Sequence, residues 1–262
     1  MSESGIPPAI SIELLHALVA RSATLCDARY LVLKGPTLAN QGLRPERLSS
    51  DVDVLVEPAK FDEFSHTLET AGWAPRPEIR DIGPKHSITL LHPNWSCDID
   101  VHRYFPGAFA SPQESFDALW RRRERAWFAD TSVCVPNRST SAVIHALHLL
   151  REAKADRNRA TAQSMFDELD EVTRREFWEI SNELDSGYAL NELSRSRVDD
   201  ARAQRSPTWR KQARDWDLRQ STPTRTGDWV RVVLDSPPLQ RPAALWHAVW
   251  LSEEELRLEH PA

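Results

Sequence analysis

Two aspartates one residue apart, Asp51 and Asp53, open the run Asp51-Val52-Asp53-Val54-Leu55-Val56. On a β-strand successive side chains alternate faces, so both carboxylates share one side while Val52, Val54 and Val56 turn to the other. That is half of a metal site of the oxygen-donor kind that Mg²⁺ prefers. A second run, Asp98-Ile99-Asp100-Val101-His102, puts Asp98, Asp100 and His102 on one face by the same period. If the two strands meet, their acids can hold two divalent ions about 3.5–4 Å apart, which stabilises the attacking and leaving oxygens in phosphoryl-type transfer. Taken alone, an Asp-x-Asp pair more often marks a solvated strand end, so its neighbours decide what it means.

Those neighbours add a place for phosphate. Tyr30-Leu31-Val32-Leu33 is a short apolar strand that runs straight into Lys34-Gly35-Pro36-Thr37. Pro36 suits the first turn of a helix, because its missing N–H would be unpaired there anyway, and Gly35 lets the backbone approach a ligand closely. The free amides of that helix start, with Thr37 among them and Lys34 beside them, form a candidate phosphate cradle. Arg47 lies in the loop before the acid pair, where a guanidinium either grips phosphate oxygens or neutralises the carboxylates. Ser50 is placed to orient Asp51 by hydrogen bonding. His86 and His102 read as orienting partners of carboxylates before they read as bases.

The elements that must position these groups follow from the apolar pattern. The order is helix over roughly 10–25, strand 30–34, short helix 36–42, strand 51–56, helix 58–71, strands near 86–92 and 97–102, and a last strand through Val133 and Val135. Arg121-Arg122-Arg123-Glu124-Arg125 reads as a solvated helix face. After Pro136 the period turns helical: Ser139-Thr140-Ser141 offers caps, and Val143, Ile144, Leu147, Leu149 and Leu150 form an apolar stripe in which His145 and His148 read as packing residues. Further helices are expected near 164–185, 187–204, 207–219 and 243–258, with tryptophans inside and arginines outside. Domains are therefore expected at 1–136 and 137–262, an α/β half and a mainly helical half.

Composition narrows the classes. A chain of 262 residues, 40% apolar and 27% charged, can bury a sizeable core. A formal net charge of −6 argues against nonspecific nucleic-acid binding as the main task. Three scattered cysteines, Cys26, Cys97 and Cys134, suit a reducing cytoplasm rather than a disulfide framework. The sequence shows no apolar run of membrane-spanning length and no signal peptide, so a cytoplasmic protein without a membrane partner is expected.

Taken in order, Leu33-Lys34-Gly35, Arg47-x-x-Ser50-Asp51-Val52-Asp53-Val54-Leu55-Val56, His86 and Asp100-Val101-His102 resemble the bacterial nucleotidyltransferase family proteins of the nucleotidyltransferase-fold, polymerase beta-like superfamily. Trp250-Leu251-Ser252-Glu253-Glu254-Glu255-Leu256-Arg257 is similar to a closing segment of such proteins. The resemblance implies a small mixed sheet flanked by helices, and catalytic acids Asp51, Asp53 and Asp100 that hold two Mg²⁺ ions, with Mn²⁺ as the alternative. The nucleotide, by that resemblance ATP, would lie against Lys34, Gly35, Thr37, Arg47 and Ser50, with Asp98, His86 and His102 behind the ligands. Two departures stand out. Better-known members carry Gly-Ser before the acid pair where this chain has Lys34-Gly35-Pro36-Thr37, and they carry a single acid where this chain has both Asp98 and Asp100.

The expected activity is metal-dependent transfer of a nucleoside monophosphate from a nucleoside triphosphate to a hydroxyl or phosphate, with pyrophosphate released. The acceptor is a small molecule, a peptide or a protein, bound by the helical half. The alternatives are a non-catalytic nucleotide-binding module, or a toxin–antitoxin-type protein acting on RNA or a protein partner.

Overall fold

Short apolar runs build the sheet, and polar residues at their ends face a cleft. A computed structural model of the chain describes residues 6–77, 86–151, 155–194 and 205–221, with 233–234, 236 and 239–242. The first helix, α1 (Pro8–Leu25), buries Leu15, Val19 and Ala23 against strand β1 (Tyr30–Leu33), whose four residues are all buried. A tight turn leads into the six-residue helix α2 (Gly35–Asn40), and a loop leads on to β2 (Asp51–Val56). Helix α3 (Phe61–Thr70) follows, with Phe64 and Leu68 fully buried, and then β3 (Ala74–Pro75), β4 (Ser87–Leu91) and β5 (Asp98–His102).

These strands form one five-stranded sheet in the order β1-β2-β5-β4-β3. β2 and β5 run parallel in its centre, and the remaining pairs are antiparallel. The mixed sheet flanked by helices is the one the family resemblance implies, and it fits the α/β half read from the pattern. In β5, Ile99 and Val101 are buried while Asp98 and Asp100 are only partly so, the alternation that a strand imposes.

The next stretch corrects the expectation. Helix α4 (Pro112–Arg121) opens with a capping box, in which Glu114 N–H donates to the Ser111 hydroxyl and Ser111 N–H to the Glu114 carboxylate. It is followed by β6 (Arg123–Phe128), paired with β7 (Thr131–Pro136) in a separate hairpin. The arginine run is thus split between a helix end and a strand. The run stays largely exposed, as a solvated face would, while three of its arginines also have partners within the chain: Arg121 lies 2.6 Å from Glu183, Arg122 pairs with the same carboxylate, and Arg123 stacks on Trp120.

From Arg138 onward all described elements are helical. Helix α5 (Arg138–Arg151) is buried along most of its length and packs against α6 (Ala155–Asp167), α7 (Glu171–Glu183) and α8 (Pro207–Ser221). The single helix expected over 164–185 is two, because the Asp170 side chain accepts the Thr173 amide and starts a new one. The helix expected over 187–204 is a 3₁₀ turn at Asn191–Leu193, and 195–204 fall outside the described residues. Trp209 and Trp216 are buried, as expected of core tryptophans; Trp229, Trp246, Trp250 and the closing segment lie outside the described residues. Among the described residues no helix is long and apolar enough to cross a membrane, and Cys26, Cys97 and Cys134 are buried and unpaired.

Candidate functional site

Register creates the site. The parallel pairing sets Asp51 opposite Asp98 and Asp53 opposite Asp100, so the acid pairs of two strands point the same way at the same end of the sheet. On the other side of β2, Leu33 pairs with Asp53, which leaves Lys34 as the first residue beyond the strand end. Lys34 has φ 55° and Gly35 φ 53°. Two successive left-handed residues fold the chain back sharply, and a side chain at such a φ is strained for any residue but glycine. The strain aims Lys34 across the strand end: its Nζ lies 2.7 Å from Asp53 Oδ1. His102, on β5, donates from Nε2 to the same oxygen at 2.9 Å.

Asp53 is therefore the hub. It is 6% exposed. Burial pushes its carboxyl up, but the His102 hydrogen bond and the Lys34 charge outweigh burial and hold it below the usual carboxylate range. Asp51 goes the other way: burial first, then the neighbouring Asp53 charge, raise its pKa, and Asp100 and Asp98 add to the rise. Like charges gathered without full compensation are what a cation would relieve. Donor atoms of Asp53, Asp100 and His102 lie within 4.8 Å of one another. Asp100 Oδ1 and His102 Nδ1 are buried with no hydrogen-bond partner among the described residues. Unsatisfied hard oxygen beside a second carboxylate fits a Mg²⁺ or Mn²⁺ ion.

The remaining expected residues divide. Lys34, Gly35, Arg47, Ser50, Asp51 and Asp53 all line one cavity of about 310 Å³. Thr37 is buried and does not line it. Asp98 is engaged by Arg76, whose guanidinium is 2.5 Å from Asp98 Oδ2. His86 accepts from Arg151 through Nε2 at 3.3 Å, and its ring sits 5.9 Å from that of His102. The guanidinium can only donate, so that nitrogen is engaged as an acceptor.

Four polar lining residues escaped the sequence reading as site residues: Arg44, Ser49, His145 and His148. Arg44 donates to the Gly35 carbonyl at 2.7 Å, which ties the loop to the strained turn. His145 and His148 enter from α5, one helical turn apart on the same face. Apolar neighbours in sequence made them look like packing residues. Burial pushes His145 down to about 4, helped by Arg44, Arg47 and Lys34, and pushes His148 down to about 3, helped by Lys34 and Arg151. Both are neutral at physiological pH.

An unfolded histidine titrates near its ordinary value of about 6.5, so below that pH the unfolded chain takes up protons that the folded chain refuses. Stability is full above that value and falls as the pH drops toward the depressed folded values. At pH 5 each imidazole should cost about 2 kcal/mol relative to neutral pH. Urea unfolding at both pH values should show a smaller acid loss in His148→Leu than in wild type; an equal loss would mean that His148 is not held neutral by the fold.

Residues 15–198 match the profile of a family described as uncharacterised nucleotidyltransferase. No curated protein matches the chain. Among solved structures, an antigenic nucleotidyltransferase-like protein from Paracoccidioides brasiliensis is similar at 10% identity and a TM-score of 0.41, over 69% of this chain and 92% of that one. The antibiotic-resistance factor ANT(2'')-Ia is similar at 12% identity and a TM-score of 0.43, over 69% of this chain and 97% of that one.

Proposed function

The chain belongs to a nucleotidyltransferase family, and from that premise we propose that it transfers a nucleoside monophosphate from ATP to a hydroxyl or phosphate of an acceptor, with Mg²⁺ as its cation. The observation that carries this reading is the cavity itself, whose wall is acidic at Asp51 and Asp53 and cationic at Lys34, Arg44 and Arg47. A metal-bound triphosphate has that charge pattern: cation toward the carboxylates, phosphate oxygens toward the ammonium and guanidinium groups.

Asp51, Asp53 and Asp100 would hold the ions, which when bound neutralise phosphate charge and orient the reacting oxygens. Lys34, Arg47, Ser50 and the Gly35 backbone hold the phosphate chain. The acceptor oxygen forms a bond to the α-phosphorus, the bond from that phosphorus to the bridging oxygen breaks, and pyrophosphate leaves. The Asp100 carboxylate has two oxygens, so that one can face the cation while the other takes the acceptor's proton. Catalysis rests on positioning and charge neutralisation. Residues 1–136 act as the catalytic half and 137–262 as the acceptor-binding half, in a cytoplasmic setting that suits three buried, unpaired cysteines.

ATP labelled at the α-phosphate, incubated with protein and cell extract, should leave its label on an acceptor, whereas γ-labelled ATP should release its label as pyrophosphate. Label retained from the γ-position would make the protein a kinase and defeat the reading. Lys34→Met should weaken Mg-ATP binding by about tenfold, the worth of one hydrogen bond to a charged group, and change the transfer step less, because the charge holds ground and transition states alike. Calorimetry against single-turnover rates separates the two effects.

A further inference from the structure

The helical half sends two groups into the cavity that the proposed reaction has not used, His145 and His148, and the first of them stands out. His145 lies on α5 and is 6% exposed, yet it lines the same cavity as Lys34, Gly35, Arg44 and Arg47. Its Nδ1 is buried and has no hydrogen-bond partner among the described residues. Other buried polar atoms among the described residues also lack a partner, but His145 and Arg44 are the two of those residues that line this cavity, where a ligand can supply what is missing. Arg44 repeats the pattern: one end of its guanidinium is fixed on the Gly35 carbonyl, while its Nε is buried and unpartnered among the described residues.

The surroundings state what that ligand is. Three cationic side chains share the wall with His145, and Ser49 and Ser50 add hydroxyls. Such a set takes a multiply charged oxyanion. We infer that His145 is a phosphate ligand of this site, donating a hydrogen bond to the β- or γ-phosphate of the nucleotide, the part that leaves as pyrophosphate. The inference rests on the nucleotidyl-transfer reading and names the residue by which the helical half grips the leaving group.

Two other roles suit the residue less well. As a base it would be weak, since burial and the three cations make its conjugate acid too acidic to take a proton from an acceptor. As a packing group it would have no need of the cationic side chains and hydroxyls that share its cavity. A neutral imidazole, by contrast, always carries one N–H to donate, and it adds no further charge where three cations already repel one another.

The test uses the full chain and two probes, inorganic pyrophosphate and AMP, each titrated with Mg²⁺ by calorimetry. His145→Phe keeps an aromatic ring and removes both nitrogens; His145→Gln restores an N–H. Pyrophosphate affinity should fall roughly tenfold in His145→Phe and recover in part in His145→Gln, while AMP, which lacks the leaving phosphates, should bind all three proteins alike. Equal pyrophosphate affinity in wild type and His145→Phe, or an equal loss for both probes, would overturn the role. Should His145→Phe not fold, histidine-labelled NMR decides: pyrophosphate must shift a ring resonance of wild type that is missing from His145→Gln, and an unshifted resonance defeats the inference. If wild type binds Mg-ATP while His145 proves indifferent to pyrophosphate, only this role falls. If wild type binds neither nucleotide nor pyrophosphate, the reading of the cavity falls with it.

Discussion

Asp53→Asn should give a folded protein whose nucleotidyl transfer is lower by about three orders of magnitude, a loss of roughly 4 kcal/mol of transition-state stabilisation. The side chain that replaces it has the same shape and keeps an oxygen for His102 and Lys34, which both reach Asp53 Oδ1 in the wild type. What disappears is the negative charge at the centre of the cluster. On the proposed reading a cation loses an anchor, and Lys34 loses the counter-charge it holds with little solvent around it. The folded carboxyl is held below its ordinary range, so wild type carries the full benefit of that charge above the unfolded pKa and would lose it only in strong acid. The deficit in the variant should therefore be constant across neutral pH. Transfer of α-label, with circular dichroism to confirm the fold, checks it; a folded and fully active variant would remove Asp53 from the metal site.

Gly107→Ala should be the most damaging small change outside the site, costing about 4 kcal/mol and lowering the melting temperature by roughly 8–16 °C. Gly107 has φ 94°, which strains any other residue, and a Cβ there would stand 2.7 Å from Trp216 and 2.8 Å from Leu147. Those neighbours belong to α8 and α5. The loop after β5 is thus pressed against the two helices, and α5 is the one that brings His145 and His148 to the cavity. Calorimetric melting would measure the loss, and an unchanged melting temperature would mean that the helical half is not seated there.

How much of this could be read in advance depends on the range over which each signal acts. Strand alternation is local, so the common face of Asp51 and Asp53 and that of Asp98, Asp100 and His102 followed from spacing, and the apolar residues between them gave the centre of the sheet. Strand β6 was illegible for the same reason: five of its six residues are at least partly exposed, and Trp127 is 71% exposed, so no buried face wrote a period into Arg123-Glu124-Arg125-Ala126-Trp127-Phe128. Its turn hid as well, since Ala129 and Asp130 both adopt positive φ where Asn-Gly would have announced a hairpin. The break at Asp170 did carry a signal, an acid able to cap the following turn, but the apolar pattern ran on through it. Lys34 was singled out for phosphate, while its contact with Asp53 depends on the register of β1 against β2 and on an unusual φ, neither of which a sequence displays. His145 and Arg44 needed the packing of α5 against the loop before the acids, a contact between distant segments.

That distance has a bearing on when the protein becomes competent during its own synthesis. His102 meets Asp53 across 49 positions, and Gln41 donates to Pro136 across 95, so the joint between the α2 end and the start of α5 closes late. Long-range contacts are slow to form, and chains emerge from the ribosome from the N-terminus onward. A nascent chain that ends before α5 holds the residues of β1, β2 and β5 but lacks His145 and His148, the side chains that α5 brings to the cavity. The acid-bearing strands are thus made before the cavity can be completed, and on the proposed reading an arrested chain of that length should hold a nucleotide less well than the full chain.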